Sequence, residues 1–191
     1  MPYSQEHKAQ SRQRILASAF KLFFARGYDN VSINQIMAEA DMTRGAFYAH
    51  FENKGLLYRE AIIFAAENSE IVREKPDELN EKQWMRTLLE GYLHKDNISK
   101  NNHCPLAALV TDVTVREPEV RDAYTRTFKG MNKRIAGYTK TYSSCSKNRI
   151  MATTAMIIGG LAIARAIDDP QLSEQLLENC KLEAQKLLDT D

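Results

Sequence analysis

The 191-residue sequence predicts an all-α fold, and three observations carry that prediction. Apolar residues recur at three- and four-residue spacing along almost the whole chain. Helix start and stop residues bracket those runs. No stretch alternates apolar with polar residues as a half-buried strand would. About nine helices are expected.

Taken in order, Ile15, Ala19, Leu22 and Phe23 share one helical face, and Gly27 follows as a stop. Ser32 with Gln35 three residues on forms a capping box. It opens a short helix with Ile33, Ile36, Met37 and Ala40 as its apolar face. Asp41 and Met42 interrupt, and Thr43 is placed to cap a second short helix running through Phe47 and Tyr48. Asn53 caps a longer one with Leu56, Leu57, Ala61, Ile62 and Ala65 on its buried stripe. The polar run REKPDELN, residues 73–80, reads as a boundary. Beyond it Trp84, Leu88, Leu89, Tyr92 and Leu93 mark an amphipathic helix. Cys104-Pro105 opens one reaching about Arg116, because Pro suits a first helical turn. Pro118 opens a long one through Tyr124, Phe128, Met131 and Ile135. The last two run from Lys147 to Ile167 and from Leu172 to Leu188, divided by Asp168-Asp169-Pro170.

Composition narrows the functional classes. Hydrophobic residues at 43% and charged residues at 27% exclude wholesale disorder. Three scattered cysteines make no disulfide framework and fit a reducing, cytoplasmic setting. The polar start MPYSQEHKAQ lacks the apolar core of a secretory signal. The apolar stretch Ile150 to Ile167 holds Arg165, Gly159, Gly160 and two threonines, and reads as a buried helix rather than a membrane span. No pair of Cys or His has zinc spacing, so no metal site is expected. A catalytic triad, a phosphate loop and a cofactor fingerprint are also missing, so neither an enzyme nor a cofactor is expected. The net charge of +1 excludes a uniformly basic coat, yet it hides a division: +2 over residues 1–60, −4 over 61–120 and +3 over 121–191.

The informative block is residues 32–54, SINQIMAEADMTRGAFYAHFENK. Two very short helices joined by a tight break are unstable alone and need a third behind them, which residues 8–26 supply. This is the helix-turn-helix plan, whose second helix lies in the DNA major groove. Thr43, Arg44, Gly45 and Tyr48 would be exposed, with Ala46, Phe47 and Phe51 facing inward. Arg bonds guanine bidentately, Thr meets a thymine methyl or a phosphate, and Gly permits close backbone approach. His50 and Lys54 follow at the start of the next helix, where Lys and free backbone N–H groups suit phosphate.

The segments RQRILASAFKLFFARGYDNVSINQIMAEADM and TRGAFYAHFENKGLLYREAI resemble the TetR family of bacterial one-component regulators. The resemblance covers about residues 8–62. It implies a helix-turn-helix DNA-binding domain, residues 1–53, followed by a helical ligand-binding and dimerisation domain, residues 54–191. It also implies a homodimer on a palindromic double-stranded operator, acting as a repressor released by a small-molecule effector. Ser32, Thr43, Arg44, Gly45, Tyr48, His50 and Lys54 fall on the family's DNA-contacting positions, whereas Ala49 stands where many members carry a second aromatic. Each residue also has a plainer reading. Tyr48 would pack a helix, His50 would pad a turn, Thr43 would only cap, and Lys54 would be a solvated lysine. Arg12 and Arg14 read as plain surface charge.

In the remaining two-thirds, Trp84, Tyr92, Tyr124, Phe128 and Met131 are candidates to line an effector pocket, or simply to build the core, and Arg165 is a candidate to meet an acidic group of the ligand or to form an inter-subunit salt bridge. Ile150, Thr154, Ile157, Ile158, Leu161, Leu176, Leu177 and Leu187 are candidates for a four-helix dimer interface. Gly159-Gly160 in mid-helix suits a close backbone approach or a ligand. Cys104 precedes a helix N-terminus, where the macrodipole lowers a thiol pKa. It is either a sensor of oxidants or electrophiles, as in some members of the family, or a small packing residue. Two other function classes stand beside the lead: a cysteine-based sensing regulator, and a helical carrier or interaction protein with a vestigial DNA head.

Overall fold

The computed structural model describes residues 5–69, 74–99 and 104–189, and among these every regular element is an α-helix. They are α1 (Gln5–Arg26), α2 (Ile33–Glu39), α3 (Arg44–Phe47), α4 (Lys54–Glu67), α5 (Glu81–Tyr92), α6 (Asp96–Ser99), α7 (Pro105–Ala108), α8 (Val110–Val113), α9 (Pro118–Thr139), α10 (Lys147–Ala166) and α11 (Pro170–Asp189). The chain forms two compact units: residues 1–67 with 109–127, and residues 68–108 with 128–191. The boundary expected at residue 53 lies within the residues of the first unit, and of the three points where the chain passes between units, the last, after residue 127, lies inside α9.

The first unit is built on α1, which packs against α4 and α2. Ile15, Ala19 and Phe23 of α1 are fully buried, as are Ile36 of α2, Phe47 of α3, and Leu57, Tyr58 and Ile62 of α4. Phe23 meets Tyr58 edge-on with ring centroids 4.7 Å apart, a geometry favoured by the aromatic quadrupole. Gly27 ends α1 at φ +74°, a backbone conformation that side chains with a Cβ rarely adopt.

The second unit centres on the packing of α10 against α11. α10 buries Ile150, Thr153, Thr154, Ile157, Ile158, Gly160, Leu161 and Ala164. It is long and apolar enough to cross a membrane by composition alone, and this packing accounts for that composition. Ser173 ties the two helices by donating to the Ala164 carbonyl at 2.9 Å. α5 adds Trp84, Met85, Leu88 and Leu89 to the core of this unit. Its start is a second capping box, Asn80 with Gln83, a signal present in the sequence that its apolar stripe overshadowed.

Three expectations are corrected. The helix foreseen from Cys104 to Arg116 is two single turns, α7 and α8, broken at Leu109 (φ −115°, ψ 9°). Five β-branched residues at 110, 111, 113, 114 and 115 weaken helix formation there. The extra turn α6 is polar and has no apolar period to announce it; Asn97 holds it by donating to the carbonyls of Gly91 and Tyr92 at 2.6 and 3.0 Å. Together these account for eleven helices among the described residues where nine were expected.

The third correction concerns the dimer face. Ile150, Thr154, Ile157, Ile158, Leu161 and Leu177 are at most 6% exposed within their own chain, and Leu176 and Leu187 are half-buried. Periodicity located an apolar stripe but could not say which of two apolar faces points outward. The large apolar side chains left exposed on these two helices are Met151 and Ile163 on α10, and Leu172 and Leu182 on α11.

The glycine pair divides cleanly. A Cβ on Gly160 would lie 2.7 Å from Cys180 Sγ and 3.3 Å from its Cβ, whereas one on Gly159 meets nothing within 4 Å. Gly160→Ala is therefore expected to cost about 1–3 kcal/mol by overpacking. Gly159→Ala should lower stability by none of that amount. Urea denaturation of both variants checks this ordering, which equal destabilisation would refute.

Candidate nucleic-acid interface

α2 and α3 hold seven and four residues, too few to persist alone, so their ends and buried side chains decide whether they form. Ser32 caps α2 as expected: its Oγ accepts from Gln35 N at 3.2 Å, and Gln35 Oε1 accepts from Ser32 N at 2.8 Å. The far end is held by Arg14, which donates to the Ala40 carbonyl at 2.6 Å, and by the Lys21–Glu39 pair at 2.6 Å. The chain then reverses through Asp41 at φ +55°, a left-handed position that Asp tolerates. Arg12 pairs with Glu60 and lies 4.7 Å over the Phe51 ring. Neither arginine is plain surface charge: Arg12 supports α4 and the Phe51 ring, and Arg14 ties down the end of α2.

α3 is fixed from below by Phe47 and Phe51, at 0% and 2% exposure, while Ala46 is half-buried. Thr43, Arg44, Gly45 and Tyr48 all face outward. Thr43 occupies the N-cap position in an extended conformation, but its side chain makes no capping hydrogen bond, which corrects the capping expectation. Its hydroxyl is not used at the helix start. A Cβ on Gly45 would meet only Thr43 Oγ1, at 4.0 Å. Nothing within the first unit demands glycine there. Tyr48 sets its ring edge-on to Phe47 at 5.1 Å yet remains 58% exposed, so packing explains only part of it.

The other three candidates are engaged to different degrees. Ser32 is exposed, but its hydroxyl donates to Gln35 Oε1 at 2.9 Å. Lys54 departs from the solvated cation or free phosphate ligand expected of it. Its ammonium donates to the Tyr28 carbonyl at 2.5 Å and sits 4.0 Å over the Tyr28 ring. Burial there lowers its pKa. An ammonium has three protons, so this anchoring aims Lys54 and leaves donors to spare. His50 is half-buried, and its Nδ1 has no hydrogen-bond partner among the described residues. Its pKa is lowered, first by burial and then by the nearby charges of Lys8 and Arg12. A surface cleft of about 360 Å³ brings Ser32, Arg44 and Lys54 together with Asp29, Val31, Ile33 and Asn34.

A polar cluster beside these residues was not foreseen. Asp112 of α8 accepts from Tyr58 Oη at 2.5 Å and from Tyr28 N at 3.3 Å. Arg116 donates to both oxygens of Asp29, at 3.0 and 2.7 Å, and to Asp112 at 3.1 Å. Its guanidinium carbon lies 4.5 Å from the Tyr28 ring centre. Burial, and after it the hydrogen bond to Asp112, pushes the Tyr58 hydroxyl pKa well up, and the hydrogen bonds to Asp29 raise that of Arg116. The i,i+4 spacing of Asp112 and Arg116 is visible in the sequence, but Asp29 lies 87 residues away.

The effector candidates do not form one group within a unit: Tyr124 belongs to the first, the rest to the second. Trp84 and Met131 are buried at 7% and 5% exposure, while Tyr92, Tyr124, Phe128 and Arg165 are half-buried. Burial lowers the pKa of Arg165. Cys104 corrects the macrodipole expectation, because burial raises its thiol pKa despite hydrogen bonds from Tyr92 and the amides of Leu106 and Ala107. One helical turn, which is all α7 offers, has too small a dipole to offset that burial. Cys145 and Cys180 are raised by burial as well. His103 lies outside the described residues.

Comparison with known proteins follows the same geography. Residues 15–61, from α1 into α4, match the family model described as bacterial regulatory proteins, tetR family. The Tn10 TetC protein of Escherichia coli is 35% identical over 104 residues, 52% of this chain and 50% of that protein. The chain thus spans about half the length of that relative. An uncharacterised helix-turn-helix transcriptional regulator of Lactococcus lactis is 22% identical over 93% of this chain and 94% of its own length. A TetR-family regulator from Streptomyces coelicolor shares the fold, with a TM-score of 0.74 and 19% identity over 95% of this chain and 97% of that one. Residues 15–61 thus match the tetR-family model, and the fold along nearly the full chain is that of solved TetR-family structures.

Proposed function

We propose that the protein is a DNA-binding transcriptional repressor that binds a palindromic operator as a homodimer in the cytoplasm and is released by a small-molecule effector. The observation that carries this reading is α3. Its inner residue Phe47 is fully buried, and its outer residues Thr43, Arg44, Gly45 and Tyr48 have no packing that accounts for all of them. Arg44 is the base-reading residue, through bidentate bonds to guanine. Thr43 and Tyr48 hold the backbone on either side, Gly45 lets the helix approach closely, and Lys54 and His50 meet phosphate. Dimerisation uses the outward face of α10 and α11, with Met151, Ile163, Leu172 and Leu182 replacing the buried residues first expected there. Two copies then present two heads, and operator symmetry follows from protein symmetry.

Arg44→Ala is expected to weaken binding to the specific site by about 1–3 kcal/mol while barely changing binding to random duplex. Equal losses on both, measured by fluorescence anisotropy, would remove the base-reading role. Met151→Glu with Leu172→Glu should give monomers in sedimentation velocity, and a dimer that survives both would refute this interface.

His50 supplies a pH test. Its pKa is depressed in the free protein. A phosphate placed against the imidazole favours the protonated form, so DNA binding takes up a proton. Affinity should therefore rise as pH falls from about 7.5 to 5.5, across the ordinary histidine range. His50→Gln should flatten that rise; a variant with the wild-type pH slope would contradict the contact.

A further inference from the structure

Asp112 and Arg116 lie far beyond the helix-turn-helix in sequence, yet they belong to the same compact unit as α1–α4. The side-chain hydrogen bonds they make with Tyr28, Asp29, Tyr58 and each other all lie within that unit. The Asp112 carboxylate takes the Tyr58 hydroxyl at 2.5 Å, the Tyr28 amide at 3.3 Å and the Arg116 guanidinium at 3.1 Å. The Arg116 side chain is only 11% exposed and grips Asp29 with two parallel hydrogen bonds, the fork geometry that specifies position as well as energy. Tyr28 is the shared target. Arg116 stands 4.5 Å from its ring on one count, Lys54 stands 4.0 Å from it on another, and its carbonyl anchors the Lys54 ammonium. Three residues after Asp29 comes Ser32, the cap of α2, with buried Val31 between them.

We propose that Asp112 and Arg116 are positioning residues for DNA binding: they clamp the Tyr28–Asp29 loop, and through it aim both Lys54 and the capped start of α2. Neither residue touches DNA in this account. The inference rests on the DNA-binding reading above and adds to it a control point outside the family-matched head, residues 15–61.

The sign of the effect separates positioning from bulk charge. Asp29→Asn and Asp112→Asn each delete a negative charge, so electrostatics alone predicts tighter binding to a polyanion. The clamp predicts the opposite: each weakens operator binding by about tenfold, as does Arg116→Ala. Arg116→Ala combined with Asp29→Asn should be no weaker than the worse single variant, because both break one interaction. Affinities are measured on the full chain with a duplex recovered by selection, well below the melting temperature, with the folded fraction checked by circular dichroism. Amide hydrogen exchange of the free protein supplies a reading independent of DNA, in which Asp112→Asn speeds exchange at residues 28–40 and 54–58 but not in α10 or α11. Wild-type or tighter operator binding by Asp29→Asn and Asp112→Asn overturns the proposal, and so does unchanged exchange at residues 28–40. If the wild-type chain retains no duplex while exchange still changes as stated, the DNA-binding reading fails and the clamp itself stands.

Discussion

A recognition element of a single helical turn cannot hold its own shape, because fixing the first turn costs more than its hydrogen bonds return. α3 has four residues, and everything around it compensates for that shortness. Phe47 and Phe51 are buried beneath it, and Arg12 covers the Phe51 ring. The capping box of Ser32 and Gln35 fixes where α2 begins, and Arg14 ties down where it ends. Asp41 in the left-handed region sets the angle between the two short helices. With the inner side committed to packing, the outer side of α3 is left to Thr43, Arg44, Gly45 and Tyr48.

This arrangement also explains the charge balance. A net charge of +1 does not attract a polyanion strongly. Several cations of the head are occupied internally: Arg12 with Glu60, Arg14 with Ala40 and Asp41, and Lys21 with Glu39. Arg44 stands exposed, and Lys54 is aimed by Tyr28 rather than dispersed in solvent. DNA binding as proposed depends on where a few cations sit, and therefore on the shell that holds them. The cluster of Asp112, Arg116 and Asp29 belongs to that shell.

Local signals were legible and distant ones were not. The Ser32 capping box, the stop at Gly27, the start at Pro118 and the inward turn of Phe47 follow from neighbours within four residues, and the structure contains each of them. The break at Leu109 was hidden because a proline start and an apolar run look like one helix until β-branched residues accumulate. The burial of the α10 stripe within its own chain was not legible, because apolar residues cover more than one side of the helix and only the helix packed on it decides which side is core. The Asp29–Arg116 pair joins residues 87 apart, a distance over which periodicity carries no information. The direction of the Cys104 pKa shift was missed for the same reason, since burial by the fold, not the local helix start, dominates it.

The most direct measurement is selection of bound duplex from a random pool by the wild-type protein at physiological salt. The account predicts enrichment of a two-fold symmetric site whose half-sites are centred about one helical turn apart, roughly 34–36 Å. Uniform retention of all sequences, or of none, would contradict it.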